Sequence, residues 1–108
     1  MINILALTLA LFNIFYPVSP NSSTFFKLEL QDGKSIVKIN SDKQIDNTYT
    51  NAKMTCEFID QDGKLLYRQK DVYSCAVNVK LELPSFLFVR VINKEKVKVK
   101  YSIEVNSK

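Results

Sequence analysis

One hundred and eight residues with a net charge of +4, two cysteines and no histidine limit this chain to one small domain. The missing imidazole removes the commonest general base and every Ser-His or Cys-His pair, and two sulfurs alone cannot complete a zinc site. All 15 basic and all 11 acidic residues follow residue 20 and intermix there, a solvated surface rather than the single-sign patch that nucleic acid requires.

Met1 to Pro20 holds no charged side chain, and Ile4 to Tyr16 is almost continuously apolar. That length suits the apolar core of a secretory leader, about 7–15 residues, better than a membrane span of about 20. Pro17 and Pro20 then break any helix. Residues 1–20 are therefore expected to be a signal peptide and 24–106 the domain proper, in a secreted or secretory-lumen protein. The segment lacks a Lys or Arg near its start and a small-x-small cleavage motif, so the sequence assigns no cut. An uncleaved anchor, which would bring a membrane into contact, and a buried element of the fold are the alternatives. Asn21-Ser22-Ser23 is an N-glycosylation sequon, usable only in a eukaryotic secretory route.

The body alternates with period 2 throughout. Phe26, Leu28 and Leu30 share one face of a first strand, and Gln31-Asp32-Gly33-Lys34 turns the chain into a second, Ser35 to Ile39. Asn40 to Asn51 is rich in Asn, Asp, Ser and Thr and is expected to be a long connection with a short edge strand around Tyr49. Met54, Cys56 and Phe58 point inward opposite Lys53, Thr55 and Glu57. Asp60 to Lys64 is a second Asp-Gly turn leading into Leu65-Leu66-Tyr67. Cys75, Val77, Val79, Leu81 and Leu83 form one face of the next strand. Pro84-Ser85 turns into Phe86 to Ile92, apolar on both faces except at Arg90 and so expected at the centre of a sheet. After a turn at Asn93-Lys94-Glu95, Val97, Val99, Tyr101, Ile103 and Val105 face inward on the last strand.

About seven strands, no helix and almost no Gly outside the hairpin tips predict a small antiparallel β-sandwich, all-β, with an Ig-like or jelly-roll-like texture. It is not a true immunoglobulin domain, for it has no Trp and its cysteines stand only 19 positions apart. Cys56 and Cys75 both fall on inward phases, and in an oxidising compartment they are expected to form a disulfide; in a reducing one they would be free core thiols.

Three stretches resemble the bacterial pre-peptidase C-terminal (PPC) domain, a small β-sandwich appended to secreted proteases. Cys56-Glu57-Phe58-Ile59-Asp60-Gln61-Asp62-Gly63-Lys64-Leu65-Leu66 is similar to that family's central strand and its Asp-x-Asp-Gly hairpin. Phe86-Leu87-Phe88-Val89-Arg90-Val91 is similar to its aromatic strand, and Tyr101-Ser102-Ile103-Glu104-Val105 to its closing strand. The likeness covers roughly residues 24–105. Pro84-Ser85 replaces the family's usual Gly, and Lys53 and Thr55 stand where it carries acidic residues. The resemblance implies a non-catalytic accessory module that binds a protein partner, such as a protease or its substrate, without a cofactor.

Candidate sites are few. Asp60 and Asp62 could pair for catalysis or weak cation binding, but in a turn such carboxylates accept backbone N–H bonds, and Gly63 falls too early for a calcium loop. No metal ligand set emerges. Phe25, Phe86 and Phe88 lie out of phase with the core and would make an apolar docking patch if their face is open. Lys96, Lys98 and Lys100, with Lys94, would stand about 6.5–7 Å apart on one face of the last strand. That ladder is either an acidic-glycan or adhesion site or a solvated guard against aggregation. A structural surface protein tethered by its leader is the remaining alternative.

Overall fold

The computed structural model describes residues 16–107; residues 1–15, most of the expected leader, lie outside this range. Nine strands fill it: β1 Tyr16–Val18, β2 Ser23–Leu30, β3 Gly33–Ile45, β4 Thr48–Thr50, β5 Met54–Asp60, β6 Leu65–Val72, β7 Cys75–Leu81, β8 Ser85–Asn93 and β9 Val99–Ser107. They form two antiparallel sheets. One runs β1-β9-β3, with β4 and β7 both pairing with β3; the other runs β2-β8-β5-β6.

Inward phases of the two sheets meet as the expected alternation requires. Leu28 and Leu30 from β2, Met54, Cys56 and Phe58 from β5, and Leu87, Val89 and Val91 from β8 supply one half of the core. Val37 and Ile39 from β3 and Val99, Tyr101, Ile103 and Val105 from β9 supply the other. Strand β8 is central, flanked by β2 and β5. Cys56 on the interior strand β5 is bonded to Cys75 at the start of β7, with Cα atoms 6.9 Å apart, so the one disulfide ties the two sheets together.

Four expectations shift. Asn40–Asn51 is not a long connection: β3 runs unbroken for 13 residues to Ile45, and only the exposed Asp46 and Asn47 separate it from β4. Its small polar residues stay in the strand because β9 continues beside them, Ser41 opposite Tyr101 and Asp42 opposite Lys100. The Ser41 hydroxyl also accepts the Ala52 N–H at 2.8 Å, giving a buried polar side chain its partner. Leu83 is 74% exposed, because β7 ends at Leu81. Val97 is 38% exposed, because β9 begins only at Val99. Finally, pairing starts upstream of the expected boundary at 24. Tyr16–Val18 lies along β9, and Val18 is buried with its carbonyl accepting Asn93 Nδ2 at 2.9 Å.

Candidate functional site

Antiparallel register lays side chains across a sheet in rows, and the outer face of β2-β8-β5-β6 holds the most distinctive ones. Phe25 stands opposite Arg90, Arg90 opposite Glu57, and Glu57 opposite Arg68, one row spanning all four strands. The next row sets Lys27 beside Phe88 and Phe88 beside Ile59. In the row beyond, Glu29 stands opposite Phe86. The three phenylalanines singled out from the sequence thus share one face. Phe25 is 60% exposed, and Phe86 and Phe88 are half-buried.

Charges are woven into this apolar face rather than set apart from it. Lys27 Nζ sits 4.2 Å from the Phe86 ring centroid, and Arg90 Cζ lies 5.9 Å from that of Phe25, so both cations cover aromatic surface. Glu57 anchors the row. Arg68 Nε and Nη2 both donate to its Oε2 at 2.7 Å, and Arg90 Nη1 donates to its Oε1 at 3.2 Å. Burial raises the Glu57 pKa, but the hydrogen bonds and charges of Arg68 and Arg90 outweigh it and hold the carboxyl below its ordinary value. The guanidinium groups remain partly open to solvent while the carboxylate does not. That face therefore presents partly open aromatic side chains and the outer surfaces of two oriented cations.

The lysine ladder does not form. Lys94, Lys96 and Lys98 belong to the β8–β9 connection, and only Lys100 lies in a strand. The cause is Asn93, fully buried, whose side chain organises that connection. Its Nδ2 donates to the Val97 carbonyl at 2.9 Å and its Oδ1 accepts the Glu95 N–H at 2.8 Å. Strand alternation is interrupted until Val99. The strand-face glycan site expected from Lys96, Lys98 and Lys100 loses its geometry with it.

Asp60 occupies the turn role. Its Oδ1 accepts the N–H groups of Asp62 and Lys64, each at 2.9 Å, and its carbonyl accepts Gly63 N–H at 3.0 Å. Asn21 is exposed at a positive φ of 60° between β1 and β2, with its N–H donated to the Asn93 carbonyl at 3.1 Å.

Two arrangements escaped the sequence reading. The Arg68–Glu57–Arg90 triad was signalled only by three charged residues on outward phases; which strands adjoin is not written in periodicity. Around Glu95, a carboxylate ties three segments together: Oε2 accepts the Lys53 N–H at 2.6 Å and Oε1 pairs with Lys43 at 3.0 Å. The Lys53 N–H bond lowers the Glu95 pKa most; burial opposes it and Lys43 reinforces it.

The sequence matches no protein-family model and no curated protein. Among solved structures, a de novo designed double-stranded β-helix aligns over 86% of this chain and 96% of its own, at 12% identity and a TM-score of 0.48. The pre-peptidase C-terminal domain of a collagenase from Bacillus anthracis aligns over 86% of this chain and 88% of that one, at 10% identity and a TM-score of 0.52. The protein is therefore a two-sheet antiparallel β-sandwich with a fold like that of a PPC domain, as the three motif stretches implied.

Proposed function

We propose that this protein is a secreted or lumenal, non-catalytic β-sandwich module that binds a protein partner, a protease or a protease substrate, through the outer face of β2-β8-β5-β6. The observation that carries the reading is the convergence of Phe25, Phe86 and Phe88 on that face, interleaved with Arg90 and Arg68. Exposed aromatics beside oriented arginines are the residue types that concentrate binding energy at protein interfaces. The collagenase domain of similar fold favours an accessory place beside a protease. The Cys56–Cys75 bond favours an oxidising compartment, and the uncharged first 20 residues favour export. The lack of any histidine favours binding over chemistry.

The test is affinity capture from the native extracellular fraction, comparing the wild type with a Phe25→Ser/Phe88→Ser variant that remains folded. A protease or protease substrate held by the wild type and lost by the variant is the expected result. No specific partner, or one that binds both forms equally, refutes the assignment. Intact mass of the native protein checks the compartment: export predicts loss of two hydrogens at the cysteines and removal of the leader.

A further inference from the structure

A sheet edge presents unpaired N–H and C=O groups, and edges that stay monomeric are blunted by shortness, proline, bulges or charge. Most edges here carry such a device. Strands β1 and β4 have three residues each, and β1 contains Pro17. Strand β6 meets β5 through two register shifts and carries Arg68, Lys70 and Asp71. Strand β2 also pairs without a register shift, but it carries two outward charges, Lys27 and Glu29.

Strand β7 differs. Its seven residues, Cys-Ala-Val-Asn-Val-Lys-Leu, pair with β3 without any register shift and include one charge, Lys80. Among the described residues no other strand pairs with it. The disulfide from Cys75 to the interior strand β5 fixes its start in place. Its inward side chains Val77, Val79 and Leu81 pack against the core yet are only half-buried, so the apolar layer ends there incompletely covered.

We propose that two copies of this chain associate through antiparallel pairing of β7 with β7 about a two-fold axis at Asn78, joining their sheets into one. The strand's own sequence selects that register. A pleated pair must match inward with inward residues, so only alternate registers keep the faces aligned. An axis at Asn78 pairs all seven residues: Val77 with Val79, Ala76 with Lys80 and Cys75 with Leu81 of the partner copy. Axes at Val77 or Val79 leave two residues at one end of the strand unpaired, and an axis at Lys80 sets two lysines face to face. In the Asn78 register no like charges oppose, two amides meet on the outer face, and the half-buried valines continue the core into the second copy. The association uses the opposite sheet from the partner face, so either can fail without the other.

Sedimentation velocity over a concentration series reads the association directly, on wild type and on two exposed-position variants shown by thermal melting to be folded. Asn78→Lys places two ammonium groups on the axis and is expected to weaken the dimer about tenfold. Ala76→Glu sets a carboxylate opposite Lys80 of the partner copy, twice by symmetry, and is expected to tighten it about threefold. A wild type that remains monomeric up to about 1 mM, a range in which even weak pairing is visible, overturns the proposal. A dimer indifferent to both substitutions, or weakened by both, overturns it equally.

Discussion

At Glu57 a carboxylate that is only 6% exposed keeps its charge because two guanidinium groups reach it from the strands on either side. A carboxylate whose pKa is lower in the folded chain than in the unfolded one stabilises the fold above its unfolded value, near 4.3, and that contribution is lost as pH falls through the folded value. Glu95 follows the same sign. Urea unfolding is therefore expected to show lower stability at pH 3 than at pH 7, with a smaller difference in a Glu57→Gln/Glu95→Gln variant. At pH 7, Glu57→Gln alone is expected to cost on the order of 1–2 kcal/mol. The cost falls below the roughly 3–5 kcal/mol of a fully buried broken pair because Arg68 and Arg90 can return to water. Tyr101 presents the reverse case. Its hydroxyl is buried with no hydrogen-bond partner among the described residues, and burial, reinforced by the Glu95 carboxylate, pushes its pKa upward. Tyr101→Phe removes an unsatisfied polar group while keeping the ring, so it is expected to raise stability by up to about 1 kcal/mol, read as a higher Tm.

Among the elements, the β5–β6 hairpin shows sequence and structure in step. One carboxylate oxygen of Asp60 accepts two N–H groups, and Gly63 holds a φ of 85° with open space where a Cβ would stand. Gly63→Ala therefore pays only for left-handed backbone, about 1 kcal/mol, and Asp60→Ala costs a similar amount for the lost bonds. Both are measurable by chemical denaturation. Strand β3 shows the opposite. Asn40 to Asp42 have loop composition, yet they pair because β9 lies alongside and supplies the backbone partners that composition cannot foresee. At the end of β8, Asn93 reaches into the core and its amide sets the path of the connection, so the Lys94–Lys98 stretch follows a side-chain bond instead of a pleat.

For the molecule as a whole, the disulfide carries a large share of stability. A chain of this size buries a modest core, and closing a loop of about 20 residues is worth on the order of 3 kcal/mol. Replacing Cys56 and Cys75 by Ala is expected to remove about that much, seen as a lower denaturant midpoint with an unchanged β-sheet circular dichroism spectrum below the transition. Because the bond runs from β5 to β7, its loss is also expected to loosen the sheet edge proposed for self-association, weakening the dimer before the fold is lost.

The sandwich itself was legible in the chain. Alternation of Leu28 with Leu30, of Cys56 with Phe58 and of Tyr101 with Ile103 assigns each residue a face, a rule that depends only on near neighbours. Asp62-Gly63 turns β5 back onto β6 as its chemistry predicts, whereas Asp32-Gly33, with the same hairpin signal, carries the chain from β2 in one sheet to β3 in the other. The inward phases of Cys56 and Cys75, and the outward phases of Phe25, Phe86 and Phe88, follow from the same local rule. Which strands adjoin does not. The row Phe25–Arg90–Glu57–Arg68, the long reach of β3 and the sparsely charged edge at β7 arise from pairings between residues far apart in sequence. Periodicity fixes the face a residue takes, whereas its neighbours across that face are chosen only when the two sheets close on one core.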